Sequence, residues 1–196
     1  CADICLAGCD EDGPLSRLTL LAMNPKGYRN LTELISRGWT EGQRNDLVII
    51  ERDWVKQASE GVIALSGARE GEVGQALLNG DEPLAESRLA EWRDVFADRF
   101  YLEVQRTSRV NDEEYLHAAV ALAERSGTPL VATNDVRFLK QEDFEAHETR
   151  VCIGEGRTLD DPRRPRTYSD QQYLKTPAEM AELFSDLPEA LENTVE

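Results

Sequence analysis

The sequence predicts an α/β fold in which strands and helices alternate, and three observations support this prediction. A strand pattern at Phe100 to Arg106 precedes a helix pattern at Asn111 to Ser126, which ends at Gly127. A short apolar strand follows within the stretch Thr128 to Leu139. The connections are short, which is typical of a βαβ unit with parallel strands. We therefore expect the exit of this last strand to carry the chemistry, as it does in α/β folds.

The composition predicts one globular domain. The chain has 196 residues, of which 40% are hydrophobic and 31% are charged. Its formal net charge of -16 excludes a broad surface that follows a phosphate backbone, although a local basic patch stays possible. The four cysteines lack zinc-site spacing, and there is no secretory leader or long apolar run. We expect a cytoplasmic protein with reduced thiols and no contact with a membrane.

The N-terminal half predicts a hairpin, a helix, a loop and a helix that leads into a buried strand. In chain order, these are strands at Cys1 to Ala7 and Leu18 to Ala22 around a turn cluster at Gly8 to Pro14, a helix capped by Asn30 that ends before Gly38, a polar loop at Gly38 to Asp46, a short helix at Asp53 to Ser59 and a strand at Val62 to Leu65. The turn after Val62 to Leu65 contains Gly67, which could present backbone N–H groups to an anion or be a plain turn.

The C-terminal half predicts four further helices. The first begins near Pro83 and buries one face, and the second is the Asn111 helix of the βαβ unit. A helix around Phe144 to Cys152 follows, and the last is capped by Thr176 with Glu179. Between these two lies an irregular basic loop from Gly156 to Tyr168. Its arginines, including Arg163, Arg164 and Arg166, either pair with nearby acids or contact an anion or a nucleic acid.

Polar residues gather where the predicted strands end. The set is Asp3, Ser66, Glu103, Gln105, Thr107, Asn134, Asp135 and Arg137. Three converging carboxylates could hold a divalent metal or act as acid and base. The two histidines, His117 and His147, are expected at helix surfaces or core edges, so an imidazole-rich metal site cannot be built. A pairing of Asp135 with Arg137 would also occupy the carboxylate.

Several long motifs of this chain are similar to those of one known family. They are Leu18 to Leu31, Gly61 to Gly74, Tyr115 to Leu139 and Asp143 to Tyr168, of which Val131 to Phe138 is especially specific. Together they resemble the PHP (polymerase and histidinol phosphatase) domains of bacterial DNA polymerase III alpha subunits, in the same order and over essentially the whole chain. The resemblance implies part of a distorted (β/α)7 barrel related to the TIM barrel, without its first strands.

The resemblance also implies limits and metal-site positions. Residues 1–186 would form the C-terminal portion of the PHP domain, and 187–196 would begin the connection to the polymerase core. The family's first His-x-His motif is absent, so a fragment is expected. Three further ligand positions fall on Asp3, Thr107 and the Asp135–Arg137 pair. Because only the acids remain, no bound metal is expected, with Asp3 and Asp135 as weak candidates. Arg106, Gly67 and the loop arginines are possible anion contacts.

The functional expectation follows from this family resemblance. The domain would support the polymerase core and dock the epsilon proofreading exonuclease, without catalysis of its own or a cofactor. The parent chain would be a DNA-directed DNA polymerase that contacts DNA and uses Mg²⁺, with its catalytic carboxylates outside this chain. The alternative is a residual metal-dependent phosphoesterase or pyrophosphatase that uses Asp3 and Asp135.

Overall fold

A computed structural model of the chain describes residues 1–8, 13–44 and 47–195, which form a mixed α/β fold. The strands are β1 (Ala2–Leu6), β2 (Ser16–Ala22), β3 (Gln43–Arg44), β4 (Leu47–Ile50), β5 (Val62–Leu65), β6 (Phe100–Gln105) and β7 (Leu130–Thr133). The helices are α1 (Pro25–Glu41), α2 (Arg52–Gln57), α3 (Glu72–Leu78), α4 (Glu82–Phe96), α5 (Asp112–Ser126), α6 (Phe144–Glu155), α7 (Pro177–Leu183) and α8 (Pro188–Glu192). Within the described ranges, no helix is long and apolar enough to cross a membrane.

The seven strands form one sheet in the order β3-β4-β1-β2-β5-β6-β7. Strand β1 is parallel to β4, and β5, β6 and β7 are parallel to one another, whereas β2 runs antiparallel to both its neighbours. The predicted α/β class and the βαβ unit β6-α5-β7 are therefore confirmed. In the part of the chain that the structure describes, the sheet is open rather than closed into a barrel, which is consistent with part of a PHP fold.

The predicted N-terminal hairpin is confirmed, because β1 pairs with β2 in the register Ala2↔Leu20 to Leu6↔Ser16. Leu18 and Leu20 are buried on one face of β2, as period-two alternation requires. The central part of the predicted turn, residues 9–12, lies outside the described residues.

The predicted start of α1 is wrong. Asn24, not Asn30, is the N-cap, since its side-chain oxygen accepts from the backbone N–H groups of Lys26 (3.0 Å) and Gly27 (2.9 Å). Asn30 lies inside the helix, where its amide donates to the carbonyl of Glu60 (2.8 Å). A buried asparagine that satisfies a loop carbonyl looks the same as a cap in the sequence.

The predicted end of α1 and the predicted polar loop are also wrong. The helix continues through Gly38 to Glu41, and the strand β4 follows soon afterwards. A Cβ at Gly38 would lie 2.4 Å from the Cδ1 of Ile50, so this glycine permits close packing of α1 on β4 rather than ending the helix. The last two residues of the predicted loop, 45 and 46, lie outside the described residues.

The α4 face predicted to be core is confirmed, because Ala85, Leu89, Trp92 and Phe96 are all buried. Trp92, Phe96 and the Phe100 of β6 form a chain of ring contacts between helix and sheet. The predicted capping box at Thr176 is also confirmed.

The C-terminal helix α8 packs on the edge of the sheet. Its Ala190 is fully buried, and the amide of Asn193 donates to the carbonyl of Leu130 in β7 (2.7 Å). The predicted domain limit at residue 186 stays a prediction.

Candidate functional site

The exit of β7 is held in a backbone conformation that few non-glycine residues adopt. Asp135 has a φ of 42°, in the left-handed region. The segment around Gln172 fixes this geometry, since the side-chain amide of Gln172 donates to the Asp135 carboxylate (2.8 Å) and to its carbonyl (3.3 Å). The backbone N–H of Arg137 in turn donates to the carbonyl of Gln172 (2.8 Å). Hydrogen bonds with the uncharged residue Gln172 therefore help to position Asp135.

Three guanidinium groups converge on the buried Asp135 carboxylate, whose side chain is 2% exposed. Arg137 donates to Oδ1 at 2.7 Å, and Arg17 donates to the same oxygen at 3.1 Å. Arg109 lies 3.4 Å from Oδ2. The predicted pairing of Asp135 with Arg137 is confirmed, but it is only one of three ion pairs. Three positive charges therefore lie around the single negative charge of Asp135.

The ion pairs extend to two further carboxylates. Arg17 also donates to Asp3 (2.5 Å) and to Glu70 (3.2 Å), and Arg109 donates to Glu70 (3.1 Å). We call this set the arginine–carboxylate cluster: Asp3, Arg17, Glu70, Arg109, Asp135 and Arg137. Burial lowers the pKa of Arg17, but the carboxylates of Asp135, Asp3 and Glu70 outweigh this effect and raise it above its ordinary value. Arg17 is therefore a permanent cation.

Thr107 lies beside the cluster but does not contact its carboxylates. The hydroxyl of this fully buried residue donates to Asp112 (2.6 Å) and accepts from the Nε of Arg109 (2.8 Å). The side-chain oxygen of Gln105 accepts from the same guanidinium (3.1 Å). Thr107 and Gln105 thus orient Arg109 toward Asp135.

The loop that leads into α5 is held by the first acid of that helix rather than by its N-cap residue Asn111. The side chain of Asn111 makes no capping hydrogen bond, whereas the Asp112 carboxylate accepts from the backbone N–H groups of Thr107 (2.9 Å) and Arg109 (3.1 Å). The acid that follows Asn111 therefore fixes the loop that carries Thr107 and Arg109.

Glu103 is the third carboxylate predicted at the strand ends, and it is not part of the cluster. Its Oε1 accepts from the hydroxyl of Thr133 (2.5 Å) and the amide of Gln105 (3.1 Å). Burial raises the pKa of Glu103, against the opposing effects of these two hydrogen bonds and of the positive charge of Arg17.

The other predicted strand-exit residues have structural contacts. The hydroxyl oxygen of Ser66 accepts from the backbone N–H of Glu103 (3.0 Å). The amide of Asn134 donates to the carbonyls of Gln171 (3.1 Å) and Tyr173 (2.7 Å). Both therefore join neighbouring segments.

The predicted anion contacts are dispersed. Gly67 has a φ of 77° and packs closely on the backbone of Arg17. Arg106 forms a bidentate pair with Asp186 (2.5 and 2.8 Å), and its guanidinium lies over the ring of Phe184. Arg106 and Gly67 therefore have internal roles, which supports the plain-turn interpretation of Gly67.

Two of the three arginines named in the basic loop pair with nearby acids, as one of the two interpretations of its sequence predicts, and the anion contact stays a prediction. Arg163 pairs with Asp161 (3.2 Å), and Arg164 pairs with Glu148 of α6. Arg166 is exposed, and none of the hydrogen bonds or ion pairs among the described residues involves it.

The two histidines occupy the positions expected of them. His117 lies exposed on α5, and His147 is buried between the rings of Phe138 and Tyr168. Burial lowers the pKa of His147, and nearby Arg150 adds to the effect. Among residues 1–8, 13–44 and 47–195, no group of three His, Cys, Asp or Glu side chains is arranged to hold a metal ion.

Sequence reasoning missed Arg17, Glu70, Arg109 and Gln172. A signal existed for Arg17, because alternation along β2 places it with Thr19 on the face opposite Leu18 and Leu20. Thr19 lies opposite Asp3 in the hairpin, so the same face carries the acid. Glu70, Arg109 and Gln172 lie in a 3-10 turn and in loops, where no periodicity reveals the direction of a side chain.

An open cleft of about 580 Å³ borders the cluster. Asp3, Arg17, Glu70 and Arg137 line one part of it, together with apolar residues of the hairpin and α3. The cleft therefore presents a polar wall whose charges are already paired with one another.

Comparison with known proteins assigns the family. The model of the PHP domain matches residues 3–107. The chain belongs to the PHP domain family. It is 82% identical over 195 residues to the DNA polymerase III subunit alpha of Pseudomonas aeruginosa, and 54% identical over 189 residues to that of Escherichia coli. The Vibrio cholerae subunit is 49% identical over 195 residues.

These matches cover all or nearly all of the chain but only part of each relative. The shares are 100% of the chain and 17% of the Pseudomonas aeruginosa protein, 96% and 16% for Escherichia coli, and 100% and 17% for Vibrio cholerae. The chain thus spans about a sixth of the length of these curated relatives.

Proposed function

We propose that this domain is a non-catalytic, structural and partner-binding part of a DNA polymerase III alpha subunit. The observation that carries the proposal is the contact of Arg17, Arg109 and Arg137 with Asp135. A divalent cation needs carboxylate oxygens or imidazole nitrogens that are free to coordinate it. Here guanidinium groups occupy the carboxylate oxygens of Asp135, and their positive charge would repel a divalent cation.

The metal that other PHP domains imply does not fit this set of donors. Thr107 offers its hydroxyl to Asp112 and Arg109, and no imidazole lies at the cluster in the described residues. Each arginine supplies a fixed positive charge where a cation would otherwise lie between the acids. In this proposal the guanidinium groups replace the structural role of the ion, without its Lewis acidity.

The role of the domain in the whole protein is also part of the proposal. The near-complete match of the chain to alpha subunits supports a DNA-directed DNA polymerase as the parent protein. In this proposal, Mg²⁺ and the catalytic carboxylates of that polymerase lie outside residues 1–196. The domain would support the polymerase core and dock the epsilon exonuclease. An acidic domain with a net charge of -16 favours a protein partner over direct contact with a DNA backbone.

Metal titration of the whole polypeptide, that is, the alpha subunit of which residues 1–196 are a part, tests the degenerate site. We expect no stoichiometric Zn²⁺ or Mn²⁺ binding that depends on Asp135. The triple variant Arg17→Met, Arg109→Met, Arg137→His should bind Zn²⁺ at least about tenfold more tightly than the unaltered protein does. It frees the carboxylates of the cluster and adds an imidazole. Arg163→His is the matched control, since Arg163 pairs with Asp161, which is not an acid of the cluster.

The unaltered protein provides the decisive outcome, because it does not depend on how the variant folds. Stoichiometric metal binding that is lost in Asp135→Asn would contradict the degenerate site. Phosphate release from a phosphoester by the same protein, lost in the same variant, would support the residual phosphoesterase instead.

Hydrogen exchange of the whole polypeptide tests the docking role. Addition of the epsilon exonuclease should slow exchange of amides within residues 1–196. Protection confined to the rest of the polypeptide would place the exonuclease elsewhere. Primer extension by the same preparation tests the parent polymerase activity.

A further inference from the structure

The surface of helix α1 is divided into a charged part and an uncharged part. The residues that this helix buries are Gly27, Asn30, Leu31, Leu34 and Gly38. Outside the buried face, the charged side chains are Lys26, Arg29, Glu33 and Arg37. A second set outside the buried face carries no charge, and its members share one face because they are spaced by three or four positions. We call this set the α1 stripe: Tyr28, Thr32, Ile35, Ser36 and Trp39.

The stripe is apolar although it contains a threonine and a serine. The hydroxyl of Thr32 donates to the carbonyl of Tyr28 (2.8 Å), and that of Ser36 donates to the carbonyl of Thr32 (2.8 Å). Both hydroxyl hydrogens are therefore used by the helix itself, one turn earlier. Tyr28, Ile35 and Trp39 are 67%, 37% and 61% exposed. The positions of the two aromatic residues are about 16 Å apart along the helix axis, with shorter side chains between them.

A helix face of this kind indicates a protein contact. The chain has 31% charged residues, yet the stripe has none. Interface cores are depleted of charged residues, and tyrosine and tryptophan often dominate binding there. A fully exposed aromatic side chain presents about 150–250 Å² to water, so the exposed parts of Tyr28, Ile35 and Trp39 amount to roughly 300–400 Å². Patches of this size are often functional.

The small area of the stripe indicates what covers it. A stable contact between separate proteins, including two copies of this chain, usually needs about 800 Å² on each side. A segment of the same polypeptide needs less, because its attachment gives it a high effective concentration. The chain spans 17% of its Pseudomonas aeruginosa relative, so most of that relative lies outside the match. We propose that the α1 stripe packs against a segment of the same alpha subunit that lies outside residues 1–196.

The stripe also sets the chemistry of that segment. Because no charged side chain lies in the stripe, a charge buried against it would lose its hydration without gaining an ionic partner. The covering segment therefore presents aliphatic or aromatic side chains. This inference rests on the part of the proposed function that places the chain in a DNA polymerase III alpha subunit.

Photo-crosslinking of the purified alpha subunit, without any other protein, tests the contact. The photoreactive residue p-benzoylphenylalanine replaces Trp39, whose exposed position tolerates the exchange. We expect a product with the mass of one chain, in which the peptide around position 39 is joined to a peptide outside residues 1–196. The same probe in place of Glu33, on the charged part of α1, is the matched control and should give no such product.

Oxidation by hydroxyl radicals tests the same contact without a probe. In the unaltered subunit Tyr28 should be protected, because the stripe is covered. Trp39→Asp would place a carboxylate in an apolar contact, so the protection of Tyr28 should be lost. Glu33→Asp should leave the protection unchanged.

Three results would overturn the proposal. The first is the lack of a product that joins position 39 to a peptide outside residues 1–196, or an equal yield from position 33. The second is a product that joins isotopically light and heavy copies, since a second copy would then cover the stripe. The third is a product that forms only after a separate protein, such as the epsilon exonuclease, is added. Primer extension by the same preparation tests the proposed function separately, so activity without the crosslink would overturn this contact alone.

Discussion

Two buried carboxylates of this domain, Asp135 and Glu148, both contact guanidinium groups, but their hydrogen bonding differs. Asp135 receives Arg17 and Arg137 on one oxygen and Gln172 on the other, with Arg109 close by. Within the part of the chain that the structure describes, Glu148 has a single guanidinium partner, and its second oxygen has no hydrogen-bond partner.

The difference lies in how many hydrogen bonds each buried carboxylate accepts. A buried charge is stable when its hydrogen bonds are made, and the Asp135 carboxylate accepts three of them while the guanidinium of Arg109 lies beside its second oxygen. The arginine–carboxylate cluster is therefore a closed network that joins several chain segments. The Glu148–Arg164 pair is a smaller contact, in which one carboxylate oxygen and the Nε of the guanidinium have no hydrogen-bond partner among the described residues.

Asp135→Leu should give the largest effect. It would leave three guanidiniums without their central acceptor, and breaking a buried ion pair on one side costs about 3–5 kcal/mol. Native-state hydrogen exchange of β6 and β7 amides measures this loss as the free energy of local opening. Asp3→Asn is the control, because the Asp3 side chain is 50% exposed and its loss should cost less than about 1 kcal/mol. Equal effects would remove Asp135 from the centre of the network.

Gln172→Leu should be the next largest. It removes the amide donor from Asp135 and creates an unsatisfied oxygen like that of Glu148, at a cost of about 1–3 kcal/mol in the same exchange measurement. Among the described residues, the side chain of the neighbouring Gln171 bonds only to Asp170, so Gln171→Leu should have little effect. A similar loss in both variants would contradict the importance of this one hydrogen bond.

Glu103→Gln should change the pH dependence of stability. Because burial raises the pKa of Glu103 above its ordinary value of 4.5, the folded state binds the proton more tightly than the unfolded state. Stability from this group is present below pH 4.5 and is lost as pH rises through the raised pKa. The variant should lack this loss and open less readily at pH 8, by about 1.4 kcal/mol for each pKa unit removed. Parallel pH profiles of β6 exchange would show that Glu103 titrates normally.

Replacing both partners, Glu148→Leu with Arg164→Met, should give the smallest effect. Apolar replacement of a buried ion pair is often neutral or stabilising, so we expect the opening free energy of α6 to stay within about 1 kcal/mol of the original. Arg164→Met alone is the control and should be clearly worse, because it leaves Glu148 buried without its cation. A large loss in the double variant would show that this pair is as structural as the Asp135 network.

Much of the fold was predictable from local patterns. The buried face of α4, the βαβ unit and the Thr176 capping box all follow from periodicity or from residue types at fixed spacing. The errors at α1 arose where a tertiary contact gave a residue another use. Asn30 bonds to a distant carbonyl, and Gly38 packs against β4.

The candidate site was predictable only in part. Asp135 and Arg137 are two residues apart at the end of one strand, so their pairing could be inferred from the sequence. Arg17 and Asp135 are 118 positions apart, and no local pattern relates them.

By itself, the sequence determined the α/β class, the family resemblance and the place where Asp135 leaves the sheet, because periodicity and motifs are local properties. Only the tertiary structure decided that Asp135 lies among three guanidinium groups while Glu148 pairs with Arg164 alone among the described residues. Burial and hydrogen-bond saturation depend on segments far apart in the chain, and these contacts set the chemistry of a carboxylate.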